Sequence, residues 1–433
     1  MKIAMKRLLT AAFALLIAPA VLAGVRIEHW QTSSGARVQF VESRVLPMLD
    51  VQVDFAAGSM FDPAGKSGLA ALTRATLDLG AGDRDETAIA EQLADLGASL
   101  GGSADTDRAS VSLRTLSAPD QRVPALAVLR DVLQRPRFDP AVFAREQART
   151  VAGLKEAMTR PDSIAGKAFW AALYPDHPYG RQATPESVAA LSRDDVAAFH
   201  ARHYSAANAS ITLVGDLSRA EAEAIAETLA GGLPAAPAAA IPAAPGQPKG
   251  GAVRIAHPAS QAHIYLGLPA IERGHPDFFP LLVGNYTLGG GGFVSRLMKE
   301  VRDKRGYAYS VYSYFAPLKQ RGPFQIGLQT RRAQAAEATA LARRILEDFV
   351  RDGPSADELA AAQANLTGSF PLRLDSNRKL LDNVAVIGFY GLPLDYLDQY
   401  QERIRAVTVD DVKRAFSRHV RPEHLVTVTV AGE

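Results

Sequence analysis

The sequence predicts an α+β protein built from two homologous domains, each a mixed β-sheet covered by helices, and three observations carry that expectation. First, segments 216 positions apart repeat each other. Ser192-Arg-Asp-Asp-Val196 and Thr408-Val-Asp-Asp-Val412 each set a hydroxyl before an acidic first helical turn, and both helices run into Arg-His (Arg202-His203, Arg418-His419) and then a β-branched strand. Second, residues 231–250 are rich in Pro, Ala and Gly, a composition that forbids helix and favours an extended, semi-stiff spacer. Third, apolar spacing switches between strand and helix periods within each half, which points to helices layered on one sheet face. With a leader removed, about 410 residues remain, too many for one ordinary core and suited to two domains of about 200.

From the N-terminus, residues 1–23 have the pattern of a signal peptide. Lys2, Lys6 and Arg7 make a charged start, Leu8 to Ile17 is apolar but too short to span a bilayer, and Val21-Leu22-Ala23 offers small residues for cleavage before Gly24. The expectation is export to a bacterial periplasm after cleavage at Ala23. No Cys follows that point, which argues against a lipoprotein anchor, and no later stretch reaches the roughly 20 apolar residues of a membrane helix. Residues 24–230 make the first domain. Leu49 to Phe55 alternates as a half-buried strand, with Leu49, Val51, Val53 and Phe55 on one face and Asp50, Gln52 and Asp54 on the other. Lys66 to Leu79 has helical periodicity, Arg108 to Leu116 alternates again, and Ile211 to Val214 is a closing strand. Beyond the 231–250 linker, residues 251–433 make the second domain. A capping box at Ser355-Ala-Asp-Glu358 starts a helix there, and Leu425 to Val430 is its last strand.

Composition narrows the chemistry. The chain has no Cys, so it has neither a disulfide framework nor thiol catalysis. Its formal charge of +2 falls to −1 without the three leader cations, and nothing favours nucleic acid. No Gly-x-Ser-x-Gly accompanies the nine histidines, which leaves an unrelated hydrolase without a nucleophile elbow. His200-x-x-His203 lacks an intervening Glu and precedes a domain-ending strand, so it reads as structural. Gly289, Gly290, Gly291 and Gly292 lack the Lys-Ser/Thr of a phosphate loop and read as a flexible loop beside a cleft.

Gly68 to Gly82 reads Gly-Leu-Ala-Ala-Leu-Thr-Arg-Ala-Thr-Leu-Asp-Leu-Gly-Ala-Gly. This stretch resembles the zinc helix of the insulinase-type (pitrilysin-type, inverted-motif) metallopeptidases with its chemistry removed. The family's His-x-x-Glu-His falls on Ala71, Leu72, Thr73, Arg74 and Ala75, and its third ligand, a Glu, falls on Gly153 within Glu146-Gln-Ala-Arg-Thr-Val-Ala-Gly-Leu154. A zinc site needs imidazoles one turn apart and a carboxylate to activate water, which methyl groups and a guanidinium cannot replace. The resemblance spans most of the mature chain, and its other parts are Leu173-Tyr-Pro-Asp-His-Pro-Tyr-Gly180, Phe199-His-Ala-Arg-His-Tyr204 through Val214-Gly-Asp216, and Leu288-Gly-Gly-Gly-Gly-Phe-Val-Ser-Arg-Leu297. The last leads into Val301-Arg-Asp-Lys-Arg-Gly-Tyr-Ala-Tyr-Ser-Val311, in which Arg302 and Tyr309 match the family's substrate-carbonyl pair. On spacing alone, Arg302 could instead pair with Glu300 or Asp303, and Tyr309 could be ordinary strand filler among Tyr307, Tyr312 and Tyr314.

The resemblance implies a chain that binds no catalytic zinc and works as one half of a divided enzyme. Its partner would be a homologous, zinc-bearing peptidase subunit, as in heterodimeric processing peptidases, and Arg302 and Tyr309 would stabilise the oxyanion of a peptide substrate at the partner's zinc. The alternative is a proteolytically inactive peptide-binding or scaffold protein. Substrate, cleavage preference, the partner's identity, homodimer against heterodimer, and the role of Arg74 stay open at this stage.

Overall fold

The computed structural model describes residues 24–432, so the expected leader and its cleavage site lie outside the described residues. The first sheet comprises β1 (Glu28–Gln31), β2 (Arg37–Glu42), β3 (Met48–Phe55), β4 (Ser99–Gly101), β5 (Ala109–Leu116) and β6 (Ala209–Gly215), in the order β1-β2-β6-β3-β5-β4. The second comprises β7 (Gly251–Ala256), β8 (Gln261–Ile271), β9 (Ala308–Phe315), β10 (Gly322–Arg331) and β11 (Val426–Ala431), in the order β9-β10-β8-β11-β7. Apart from the extra β1, the two sheets have one topology. In each, a single parallel contact (β2 with β6, β11 with β7) is followed by antiparallel pairs out to the far edge.

The duplication extends to single hydrogen bonds. Gln147 Nε2 donates to the carbonyls of Val188 (2.9 Å) and Leu191 (2.7 Å), and 216 positions later Gln363 Nε2 donates to those of Ile404 (3.0 Å) and Val407 (2.9 Å). The expected caps form reciprocal boxes at Ser192, Ser355 and Thr408, each hydroxyl accepting from the N–H three residues on while that residue's carboxylate accepts from the cap N–H.

Each half lends a helix to the other. Pro161–Leu173, from the first half, lays the fully buried Phe169 on the second sheet, its ring 5.6 Å from that of Tyr265. A Cβ on Gly267 would stand 2.7 Å from Phe169 Cζ and 2.1 Å from the Phe324 carbonyl oxygen, so only glycine lets this helix seat. Asn377–Tyr390, 216 positions further on, returns the favour on the first sheet. There Gly388 approaches so closely that an added Cβ would be 2.1 Å from Gln39 Oε1.

This exchange overturns one expectation. β3 is buried on both faces rather than one, with Asp50, Gln52 and Asp54 at 1%, 7% and 0% exposure. The polar row is tolerated because it is paired: Asp50 meets Arg114 at 2.7 Å, and Asp54 accepts from Gln52 at 3.0 Å and faces Arg108 at 3.3 Å. Burial, opposed by Arg108, still pushes the Asp54 carboxyl up to about 6.

A second polar clasp joins the halves directly. Asp107, fully buried, accepts 2.8 Å hydrogen bonds from Tyr179 Oη, Tyr390 Oη and the Lys319 backbone N–H. The 231–250 segment has neither helix nor strand, as proline dictates, and it is held along its length. Ala239 N–H donates to Asn208 Oδ1 (2.7 Å), Gln320 Nε2 to the Pro242 carbonyl (2.7 Å), and Gln247 Nε2 to the Pro269 carbonyl (3.0 Å).

Candidate functional site

The helix Leu69–Thr76 survives at the first candidate location. Gly68 precedes it at φ 100°, a left-handed conformation that suits glycine, and Asp62 caps it by accepting from Gly68 N–H (2.7 Å) and Ala70 N–H (2.8 Å). Leu72, Thr73 and Arg74 face inward, while Ala71 and Ala75 lie one turn apart on the exposed side. Gly153, on Pro140–Ala157, is exposed too, with open space where a side chain would begin. Beside them lies a cleft of about 440 Å³ lined by Ala75, Leu79, Glu86, Glu146, Arg149 and Thr150.

No donor atom from Ala71, Ala75 or Gly153 reaches that cleft, and its two carboxylates are already engaged. Arg145 bonds Glu146 Oε1 through Nε (3.0 Å) and Glu86 Oε2 through Nη2 (2.6 Å), and Arg149 stands 3.7 Å from Glu146 Oε2. These residues do not fit a catalytic zinc. Arg74 is not a cleft residue. Its side chain is 8% exposed, its Nε–H donates to the Ser110 carbonyl of β5 at 2.8 Å, and its guanidinium pairs with Asp78 at 3.2 Å, so it ties the helix to the sheet.

The second location is built on an edge strand. Phe278–Asn285 continues into a widened helical turn, Tyr286–Gly290, and a short 3-10 turn, Gly292–Val294. The four glycines are therefore an ordered turn, not the loose loop expected. A Cβ on Gly289 would meet Ser313 Oγ at 2.4 Å, one on Gly290 would meet Asn285 Nδ2 at 2.6 Å, and one on Gly291 the Tyr286 carbonyl oxygen at 2.7 Å; Gly292 takes φ 60°. The turn lifts Phe293 into solvent at 67% exposure. Arg302 lies in the widened turn Met298–Asp303, and Gly306 at φ 62° swings the chain into β9, the outermost strand, whose second residue is Tyr309.

The structure brings Arg302 and Tyr309 together. The guanidinium carbon of Arg302 lies 5.3 Å from the Tyr309 ring centre and 4.6 Å from that of Phe293, so it is held between two aromatic faces. Tyr309 is 86% exposed and is no packing filler. Among the described residues neither side chain makes a hydrogen bond or an ion pair, and Glu300 is instead taken by Lys304 at 2.7 Å. Both groups thus present free donors on one face. Phe293 was missed from sequence; the available signal was an apolar residue directly after four glycines. His200 and His203 are structural as expected, bonded to the Leu133 (2.9 Å) and Ala56 (3.0 Å) carbonyls, and burial lowers the His200 pKa to about 4.

Comparison with known proteins agrees with this frame. The insulinase (peptidase family M16) model matches residues 40–185, and the peptidase M16 inactive-domain model matches residues 190–366. The chain superposes on a peptidase M16 inactive domain from Pseudomonas fluorescens with a TM-score of 0.91 and 39% identity, over 94% of this chain and 98% of that one. It is 25% identical over 402 residues to the non-peptidase homolog YmxG of Helicobacter pylori, covering 92% of each. It is also 31% identical over 278 residues to an uncharacterized zinc protease of Streptomyces coelicolor, covering 61% of this chain and 60% of that protein. Among the described residues no helix is long and apolar enough to cross a membrane. Two family models over a shared two-sheet frame, together with a 39%-identical relative spanning nearly the whole chain, establish that this chain belongs to the insulinase-type peptidase family M16.

Proposed function

We propose that this chain is the non-catalytic subunit of a heterodimeric zinc metallopeptidase of the bacterial periplasm. It closes the peptide-binding chamber of a homologous zinc-bearing subunit and supplies Arg302 and Tyr309 to the substrate carbonyl. The observation that carries the reading is the contrast between its two candidate locations. At the first, Ala71, Ala75 and Gly153 offer no donor atoms and both nearby carboxylates are bonded to Arg145. At the second, a guanidinium and a phenol stand side by side with their N–H and O–H groups uncommitted. Both donate to developing negative charge, which is the chemistry an oxyanion requires. Peptide is the substrate class that membership of a peptidase family implies.

The test is reconstitution. The mature chain and a zinc-bearing homologue from the same genome are purified separately, mixed, and assayed for association and for hydrolysis of a quenched fluorescent peptide library. The reading expects little activity from either chain alone and a chelator-sensitive activity from the mixture that tracks a 1:1 complex. A complex that forms without any gain in hydrolysis would make this chain a scaffold, and no complex would remove the partnership.

A further inference from the structure

His275, Asp277 and His419 form a cluster that the peptidase reading does not use. Each brings one ligand atom to within 4.8 Å of the others, the one group of three or more His, Cys, Asp or Glu so placed among the described residues. None of the three belongs to the Leu69–Thr76 or Pro140–Ala157 helix, so this is not the zinc-like position of the first half. His275 and Asp277 come from the turn that starts Phe278–Asn285, and His419 ends Val409–His419. All three are partly exposed and can be reached from solvent.

The duplicated frame supplies an internal control. His203 and His419 occupy the same place 216 positions apart, and each aims Nδ1 at a backbone carbonyl, that of Ala56 just past β3 at 3.0 Å in one half and that of Ala270 in β8 at 3.3 Å in the other. That contact is the structural task of the residue, and His203 performs it among apolar neighbours, its ring 4.4 Å from Phe199 and 5.1 Å from Phe61. The frame therefore does not need a ligand set around this ring. In the second half His419 nevertheless meets the His275 ring edge-to-face at 4.7 Å, and its Nε2 stands 2.8 Å from Asp277 Oδ2. At 2.8 Å Nε2–H donates to the carboxylate; a cation bound between the two atoms takes the place of that proton, and Nδ1–H then donates to the Ala270 carbonyl, the arrangement that carbonyl-backed histidine ligands have in metal sites.

We propose that His275, Asp277 and His419 bind a divalent cation of the zinc class, with water completing the shell. Two imidazoles and one carboxylate suit Zn²⁺, Co²⁺ or Ni²⁺ and do not suit Mg²⁺ or Ca²⁺, which prefer all-oxygen shells. Besides the displaced Nε2 proton of His419, two contacts rearrange on binding. Arg418 leaves Asp277 Oδ2, which it touches at 2.7 Å, and its side chain is 61% exposed and free to swing out. His275 turns its ring and gives up the bond that its Nδ1 accepts from Asp277 N–H at 3.0 Å, a neutral contact weaker than a metal–nitrogen bond. The cation then staples the end of the last helix to the start of Phe278–Asn285, the helix that runs on into the turn carrying Phe293.

The experiment is equilibrium dialysis of the chelator-stripped mature chain against zinc chloride near neutral pH, with cobalt absorbance reporting coordination and thermal melts reporting stability. Wild type is expected to hold one equivalent, show the visible bands of tetrahedral cobalt, and melt at higher temperature with zinc. His275→Ala, whose ring supports no strand, is expected to keep the fold and weaken zinc on the order of 100-fold, since even outer-shell partners cost 10- to 100-fold. His257→Ala, outside the cluster, should bind as wild type does. No retained zinc in wild type, or zinc binding unchanged in both His275→Ala and Asp277→Asn, would overturn the proposal. Neither outcome bears on the reconstituted hydrolysis, which is assayed separately.

Discussion

Replacing Tyr390 with Phe tests how the two halves are held together. Tyr390 Oη donates to the buried Asp107 carboxylate at 2.8 Å, beside equal bonds from Tyr179 Oη and the Lys319 N–H. Tyr179 Oη in turn accepts from Gln320 N–H at 2.9 Å. The clasp thus spans both halves through one carboxylate. A hydrogen bond to a charged group contributes about 1.5–3 kcal/mol, so Tyr390→Phe, which keeps the ring and its packing, is expected to cost about 2 kcal/mol. Asp107→Ala strips the acceptor from three donors at about 1–3 kcal/mol each. Part of that is offset, because burial pushes the Asp107 carboxyl above its usual range and its removal relieves that cost. A net loss of about 3–5 kcal/mol follows. Urea unfolding followed by Trp fluorescence is a suitable assay, since Trp30 lies in β1 of the first sheet and Trp170 in the helix seated on the second. The midpoint should fall in both variants, and the probes should separate in Asp107→Ala as the halves lose their coupling. A Tyr390→Phe unfolding free energy within about 0.5 kcal/mol of wild type would refute the clasp.

Two further outcomes follow from the buried charges. Asp54 has its pKa raised to about 6 by burial, so its stabilising share is full below its unfolded value and is lost as pH rises through about 6. Asp54→Asn should therefore gain on wild type by up to about 1.4 kcal/mol per pH unit between pH 4 and 6, and a pH-independent difference in urea midpoints would contradict the assignment. Arg74→Met removes the bond to the Ser110 carbonyl and the pair with Asp78, and is expected to destabilise by about 1–3 kcal/mol without changing turnover in a reconstituted complex. Lost turnover with an unchanged melt would return Arg74 to the cleft.

Local chemistry was legible in the sequence wherever the deciding partners are near in the chain. The hydroxyls of Ser192, Ser355 and Thr408 cap helices because their acidic partners lie three residues on, and proline alone dictates the irregular course of 231–250. The α+β class and the duplication could be read for the same reason. The polar face of β3 was misread because its cover, Asn377–Tyr390, comes from the other half, and no alternation pattern can announce a helix more than 300 residues away. Arg74 was undecided for a related reason: its acceptor, Ser110, lies on a strand that periodicity cannot orient toward the helix. At the second location the family resemblance nominated Arg302 and Tyr309, because spacing alone left Arg302 free to pair with Glu300 or Asp303. Their exposure, and the stacking of Arg302 on Phe293, arise from the ordered glycine turn and the edge position of β9, which are tertiary facts.

The central claim is tested most directly by the turnover of a complex reconstituted with Tyr309→Phe. The substitution removes one O–H donor and preserves the ring that flanks Arg302. If the phenol stabilises the oxyanion, kcat should fall on the order of 100- to 1,000-fold with much less change in KM and no loss of dimer, and Arg302→Lys, which forfeits the planar fork, should fall with it. Wild-type kcat from an intact Tyr309→Phe complex would contradict the account and leave this chain a scaffold.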